Sequence, residues 1–134
     1  MIIITNNPDV KEAFGDRDIR FVDGGYREVL VSARDLVHKG HRLLTHPLMG
    51  SLKPNETPYR TVIMSKEAAA LDPDSLQLIE QAIETFDRFA ATVRPDRGDN
   101  TPEPLLADFR LIDLSLVNSA LERQIPAASI SDRR

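Results

Sequence analysis

The sequence contains no cysteine among its 134 residues. That absence excludes disulfide bonds, thiolate metal sites, iron–sulfur clusters and cysteine nucleophiles. No apolar run approaches the roughly 20 residues that a membrane-spanning helix needs. The short apolar opening has no basic region in front of it, which is unlike a secretory signal peptide. These absences predict a soluble, cytoplasmic protein that has no membrane partner.

The charge of the chain is unevenly distributed. The net charge is −4, yet residues 40–66 are basic and hold four cations, Arg42, Lys53, Arg60 and Lys66, against the single acid Glu56. A short basic segment on an acidic chain favours a small anionic ligand, because nucleic acids usually require a broad basic face. We therefore expect no nucleic-acid partner.

Strand-like and helix-like segments alternate along the chain. Strands are expected at residues 2–4, 19–23, 42–45 and 59–64, and helices at residues 8–14, 26–39, from 72 onwards and from 101 onwards. This order predicts a single-domain, layered α/β sandwich in which helices flank a short, mostly parallel sheet of about four strands. The domain is expected to span residues 1–124, and residues 125–134 are expected to form a frayed tail.

Some helix boundaries follow from local chemistry. Asn7 before Pro8 is typical of a helix start, and Gly40 stands where a helix ends on a left-handed residue. Residues 108–116 leave the choice between helix and strand open, because apolar and polar residues alternate from Ile112 to Leu116. As a helix, this region is expected to bury one stripe formed by Leu105, Phe109, Ile112, Leu116 and Ala120.

Polar residues follow three of the expected strands. Asn6, Asp23 and His46 lie at the ends of the first, second and third strands. Right-handed crossovers place the ends of parallel strands on the same side of a sheet, and α/β proteins bind ligands there. We therefore expect a ligand crevice at this side, covered by the proline-rich and basic residues 45–60.

Residues 45–60 combine several groups that suit an anion. A Gly50-Ser51 turn beside Lys53 would bind a carboxylate or phosphate through backbone N–H groups and the ammonium. In the alternative interpretation, Asn55 and Thr57 bond to local backbone and Glu56 pairs with a neighbouring cation. The candidate ligand-binding residues are Asn6, Asp23, His41, His46, Ser51, Lys53, Asn55, Glu56 and Thr57.

His46 and Glu56 are the candidates for catalysis, as an acid–base pair. Adding Ser51 suggests a hydrolase triad, but the Gly-x-Ser-x-Gly elbow is missing and all three residues lie in one loop. A metal site built from His41, His46, Glu56 and Asp23 has no recognised ligand spacing. We therefore expect no metal and no cofactor, and we assign no catalytic residue.

Three segments of the chain resemble the GrdX family. They are Ile-Ile-Thr-Asn-Asn-Pro at residues 3–8, Gly-His-x-Leu-Leu-Thr-His-Pro-Leu-x-Gly-Ser-x-Lys-Pro-Asn-Glu-Thr-Pro-Tyr at residues 40–59, and Asp-Phe-x-x-Ile-Asp-Leu-Ser-Leu at residues 108–116. The family is named for genes beside those of the glycine reductase system, which serves amino-acid fermentation in anaerobic bacteria. The resemblance implies a cytoplasmic accessory of glycine, sarcosine or betaine reduction, and it transfers no catalytic residue.

Three hypotheses follow. In the first, the protein has no catalytic activity and binds a small anionic or zwitterionic ligand, or a glycine reductase component, through residues 45–60. In the second, it is a small enzyme acting on such a ligand, with His46 as acid/base, Glu56 orienting it and Lys53 holding the anion. In the third, its role is structural and apolar helix faces form a homodimer.

Overall fold

The computed structural model describes residues 1–48, 57–92 and 102–131, and only the backbone of residues 91–92 and 124–131. In chain order the elements are β1 (Ile2–Thr5), α1 (Pro8–Ala13), β2 (Asp18–Phe21), α2 (Tyr26–His38), β3 (Thr61–Met64), α3 (Pro73–Thr92) and α4 (Glu103–Ser131). The expected α/β class is confirmed. Residues 108–116 are helical within α4. The backbone of α4 continues to Ser131. The domain bounds 1–124 and the frayed tail at residues 125–134 stay predictions.

The sheet of the described residues has three strands in the order β2-β1-β3. The central strand β1 is parallel to β2, with Ile3 opposite Ile19, and antiparallel to β3, with Thr5 opposite Thr61. The expectation of about four, mostly parallel strands is not confirmed, since one of these two pairings is antiparallel. We call the side where β1 and β2 end and β3 begins the rim.

Residues 42–45 form no full strand, contrary to expectation. Leu43 makes one antiparallel bridge with Met64, beside β3. The Leu43 N–H then bonds the Ser75 hydroxyl at 3.0 Å, and the Ile63 N–H bonds the Thr45 hydroxyl at 3.1 Å. Because the Thr45 hydroxyl accepts the Ile63 hydrogen that the next step of the ladder needs, the pairing stops after one bridge. The segment still runs parallel to β1, towards the rim.

Helices cover both faces of the sheet. Ile2, Ile4, Val62 and Met64 point to one face and pack against α2 and α3. Ile3 and Ile63 point to the other face and pack against α1 and α4. The all-apolar sequence of β1 follows from this arrangement, because a strand buried on both faces shows no alternation.

Helix α2 matches its expected pattern. Its buried residues are Tyr26, Val29, Leu30, Ala33, Leu36 and Val37, which recur at three- and four-residue steps. The helix ends at Gly40, whose φ of 103° lies in the left-handed region. The predicted C-terminal glycine is therefore confirmed.

Helix α4 buries Phe109 and Ala120 of the expected stripe, but Leu105 and Ile112 are exposed. Its buried residues are Phe109, Asp113, Val117, Ala120 and Leu121, while Ile112 is 42% exposed. The helix is rotated so that a carboxylate faces the sheet and Ile112 faces outwards. Hydrophobic periodicity cannot predict this rotation, because the apolar residues of α4 are spread around the helix, with Leu111 and Ile112 exposed, and are not gathered on one face.

Candidate functional site

Asn6 joins three chain segments at the rim. Its side-chain N–H groups donate to the Gly24 carbonyl at 3.0 Å and to the Pro58 carbonyl at 2.8 Å. Its Oδ1 accepts from the Arg60 N–H at 2.9 Å. The turns after β1 and β2 therefore meet, together with the residues that precede β3. Both N–H groups of the Asn6 side chain are already donated, so Asn6 could only accept a hydrogen bond from a ligand, through Oδ1.

Asn7 links the rim to α1 and α4. Its Oδ1 accepts from the Asp9 N–H at 3.0 Å and caps α1, as its position before Pro8 predicts. Its Nδ2 donates to the Arg110 carbonyl and to Asp113 Oδ2, both at 3.0 Å. One buried amide therefore starts a helix and holds a second helix against the end of β1.

Two threonines continue this network. Thr61 Oγ1 donates to Asp113 Oδ2 at 2.7 Å, and Thr5 Oγ1 lies 2.7 Å from Thr61 Oγ1. Since the one hydroxyl hydrogen of Thr61 goes to Asp113, Thr5 must supply the hydrogen between the two threonines. Thr5 Oγ1 in turn accepts from the Asn7 N–H at 3.0 Å. The hydrogens therefore point in one direction, towards Asp113.

Asp113 ends the network with one oxygen unused. The residue is 3% exposed, and its Oδ2 accepts from both Asn7 and Thr61. Its Oδ1 is buried and has no hydrogen-bond partner in the part of the chain that the structure describes. Buried polar atoms nearly always have a partner, so an unpaired carboxylate oxygen needs a functional or structural explanation.

A cation lies on the opposite face of the sheet at the same rim. Arg60 is 2% exposed and precedes Thr61, so its side chain points away from Asp113. Its guanidinium carbon lies 5.0 Å from the centre of the Tyr26 ring, which stacks on Phe86 at 5.2 Å. Aromatic faces stabilise such a cation. The rim therefore carries buried groups of opposite charge on its two faces.

The Tyr26 phenol responds to both charges. Burial, the largest cause, raises its pKa above the ordinary value of 10.0; Arg60 opposes this shift, and the Asp113 carboxylate adds to it. In the unfolded chain the Tyr26 phenol ionises near its ordinary pKa of 10.0. The folded state therefore loses stability as the pH rises from that value towards the higher pKa of Tyr26 in the folded state.

We therefore expect the free energy of unfolding to fall at alkaline pH by up to about 1.4 kcal/mol per pH unit. Tyr26→Phe should remove this fall, whereas Tyr59→Phe should retain it. Urea titrations between about pH 9 and pH 12 measure the difference. Equal slopes for the wild type and Tyr26→Phe would contradict the assignment.

Arg110 lies one turn before Asp113 on α4. Its Nη1 donates to the Tyr59 hydroxyl at 3.0 Å, and its guanidinium pairs with the carboxylates of Glu103 and Asp9. The hydrogen bond to Glu103, the largest cause, and the hydrogen bond to Tyr59 raise the pKa of Arg110. The Arg110 guanidinium thereby holds Tyr59, which precedes β3, against α4.

Two of the predicted histidines are oriented by backbone groups. His46 is exposed, and its Nδ1 accepts from the Leu48 N–H at 3.0 Å. Because Nδ1 accepts there, the neutral ring carries its proton on Nε2. His41 Nδ1 lies 2.9 Å from the Ser65 carbonyl and donates to it. Binding of a ligand by either ring stays a prediction.

The other candidates divide into two groups. Asp23 is exposed beside Gly24, and the buried Thr57 hydroxyl accepts from the Tyr59 N–H at 3.3 Å, a local bond. The remaining four, Ser51, Lys53, Asn55 and Glu56, lie outside the described residues. Within residues 1–48, 57–92 and 102–131, no cluster of three or more His, Asp or Glu side chains suits a metal ion.

The sequence interpretation missed the two buried charges at the rim. Asp113 had a signal, an acid inside the apolar pattern of residues 112–116. Arg60 was predicted only as one of the four cations of the basic residues 40–66, and nothing in its neighbourhood predicts burial. Both positions depend on contacts between residues more than fifty positions apart.

Comparisons with known proteins give one match. A family model described as GrdX-like protein matches residues 2–122, which is nearly the whole chain. Searches of curated proteins and of solved structures gave no match. None of the helices in the described ranges has the length and apolar character needed to cross a membrane.

Proposed function

This chain belongs to the GrdX-like protein family, and from that membership we propose that it is a cytoplasmic, non-catalytic accessory of the glycine reductase system. It binds a small anionic or zwitterionic ligand, or a reductase component, at the rim and through residues 45–60. The family description supports the association with glycine reductase, and the geometry of the rim supports the binding.

The observation that carries the proposal is the meeting of three segments at the rim. Asn6 bonds the backbone of Gly24, Pro58 and Arg60, so residues from distant parts of the sequence surround one place. α/β proteins bind ligands at this end of a sheet. The buried Arg60 and Asp113 place one charge of each sign at this end of the sheet, on its opposite faces, so a charged group of either sign has a counter-charge there.

Residues 45–60 supply the second argument. They follow the segment that runs along β3 towards the rim, and Lys53 gives them an ammonium for an anionic group. Lysine binds carboxylates and phosphates through charge-assisted hydrogen bonds. We propose Lys53 and Ser51 as contacts of the ligand's anionic group, with His46 beside them.

Isothermal titration of the wild-type protein with glycine, sarcosine, betaine, acetyl phosphate and inorganic phosphate tests ligand binding. We expect at least one to bind, and Lys53→Ala to weaken it about tenfold through the lost charged contact. Lys66→Ala, at an exposed lysine outside the 45–60 segment, is the matched control and should bind normally. The proposal is rejected if none of the five ligands binds and the protein captures no reductase component.

The same samples test the enzyme alternative. It is favoured by the Leu48 contact, which leaves His46 Nε2 as the protonated nitrogen of the neutral ring. If the bound ligand is converted to a product, and His46→Ala and Glu56→Ala abolish that conversion, then the protein is an enzyme. Binding without turnover supports the accessory role.

A further inference from the structure

The polar hydrogens of Asn7 and the hydroxyl hydrogens of Thr5 and Thr61 all have assigned acceptors in the described part of the chain. Asn7 uses both side-chain hydrogens, on the Arg110 carbonyl and on Asp113 Oδ2, and uses its backbone hydrogen on Thr5. Thr5 donates to Thr61, and Thr61 donates to Asp113. The network therefore delivers two hydrogens to Oδ2 and has none left for Oδ1.

These hydrogen bonds suit an ionised carboxylate at Asp113. Two donors converge on Oδ2, and aligned hydroxyl groups strengthen one another's hydrogen bonds in a buried chain. A buried carboxylate oxygen without a donor costs free energy unless something else supplies one. Among the described residues, Oδ1 is such an oxygen. Asp113 Oδ1 therefore favours a ligand group that can donate a hydrogen bond, and the negative charge of the carboxylate favours a positively charged donor.

We propose that Asp113 Oδ1 accepts an N–H from the cationic nitrogen of the ligand. This inference rests on the proposed function and narrows the ligand class to a small zwitterion that keeps at least one N–H on its charged nitrogen. An anion without such a nitrogen would face repulsion from the carboxylate. Because Asp113 is 3% exposed, binding requires a local opening, which slows association.

Five compounds differ in the hydrogen-bond donors and the positive charge that they can offer to Asp113. Glycine carries three N–H groups, sarcosine two and betaine none, while glycolate has a hydroxyl group in place of the ammonium, and inorganic phosphate has no nitrogen. We expect glycine or sarcosine to bind wild-type protein at least about tenfold more tightly than betaine, glycolate and phosphate. Betaine has no N–H to donate, while glycolate and phosphate can donate only an O–H and bring no positive charge to the carboxylate.

Asp113→Asn is the decisive variant. The amide retains an oxygen for the bonds from Asn7 and Thr61, but it places an N–H₂ donor where Oδ1 stands. We expect it to fold with a thermal midpoint close to that of the wild type and to bind glycine or sarcosine about tenfold to a hundredfold more weakly. Asp108→Asn, which removes an exposed charge from the same helix, is the control and should bind normally.

The outcomes distinguish this inference from the proposed function. If no probe binds and no reductase component is captured, the proposed function fails, and this inference fails with it. If betaine or phosphate binds as tightly as glycine, or if Asp113→Asn binds like the wild type, the inference alone fails. In that case a water molecule satisfies Oδ1, and Asp113 only stabilises the fold.

Discussion

Replacing Gly40 with alanine is expected to lower the free energy of unfolding by about 3 kcal/mol or more. Gly40 has a φ of 103°, a conformation that costs residues with a Cβ about 1–3 kcal/mol. A Cβ at this position would also lie 1.9 Å from the Ala69 carbonyl oxygen, which belongs to the backbone and cannot rotate away. The loop after β3 would have to move, and its hydrogen bond from the Ala69 N–H to the Gly40 carbonyl would be lost.

Urea denaturation followed by circular dichroism measures this loss. Gly24→Ala is the matched control, because the three atoms nearest to its new Cβ all belong to the Glu28 side chain, at 3.1 Å or more, and none to backbone. We expect that variant to stay within about 1 kcal/mol of the wild type. A Gly40→Ala protein as stable as the control would show that α2 does not end in the described geometry.

Replacing Asn6 with aspartate is expected to cost a similar amount, although the two side chains have almost the same shape. The variant retains an acceptor for the Arg60 N–H. It loses both donors, so the Gly24 and Pro58 carbonyls, now 3.0 and 2.8 Å from a carboxylate oxygen, meet a negative charge instead of an N–H. Each buried group left unpaired costs about 1–3 kcal/mol, which predicts a total loss of about 3 kcal/mol.

The control for this substitution is Asn118→Asp, which introduces the same charge at an exposed position of α4. Its free energy of unfolding should change by less than about 0.5 kcal/mol. Hydrogen exchange adds a local measurement, because the Arg60 amide should lose protection in Asn6→Asp when the rim opens. Unchanged stability and protection would mean that Asn6 does not hold the three segments together.

Local patterns predicted the elements whose stability comes from their own residues. The β-branched run of β1, the Asn7-Pro8 helix start and the stripe of α2 with its terminal Gly40 all appear as expected. Each depends on conformational preferences within a few residues, so no distant contact was needed to predict them. The contact of Asn6 with Gly24, between the turns after β1 and β2, agrees with the general rule for crossover connections. The convergence of His46 with these turns stays a prediction.

Residues 42–45 show where local patterns fail. Their apolar character is typical of a strand, and Leu43 does bridge to Met64. A full strand requires a continuous ladder, and here the Thr45 hydroxyl takes the Ile63 N–H that would continue it. Thr45 and Ile63 are 18 residues apart in the chain, so no local pattern indicates that competition.

The sequence by itself determined the α/β class, the position of the basic 45–60 segment and the family resemblance that the family model later matched. Only the tertiary structure decided which side chains surround the rim. The rotation of α4 buries Asp113 instead of Ile112, because Asn7 and Thr61 offer hydrogen bonds that an apolar side chain cannot accept. Those partners lie 106 and 52 residues away along the chain, and folding alone brings them together.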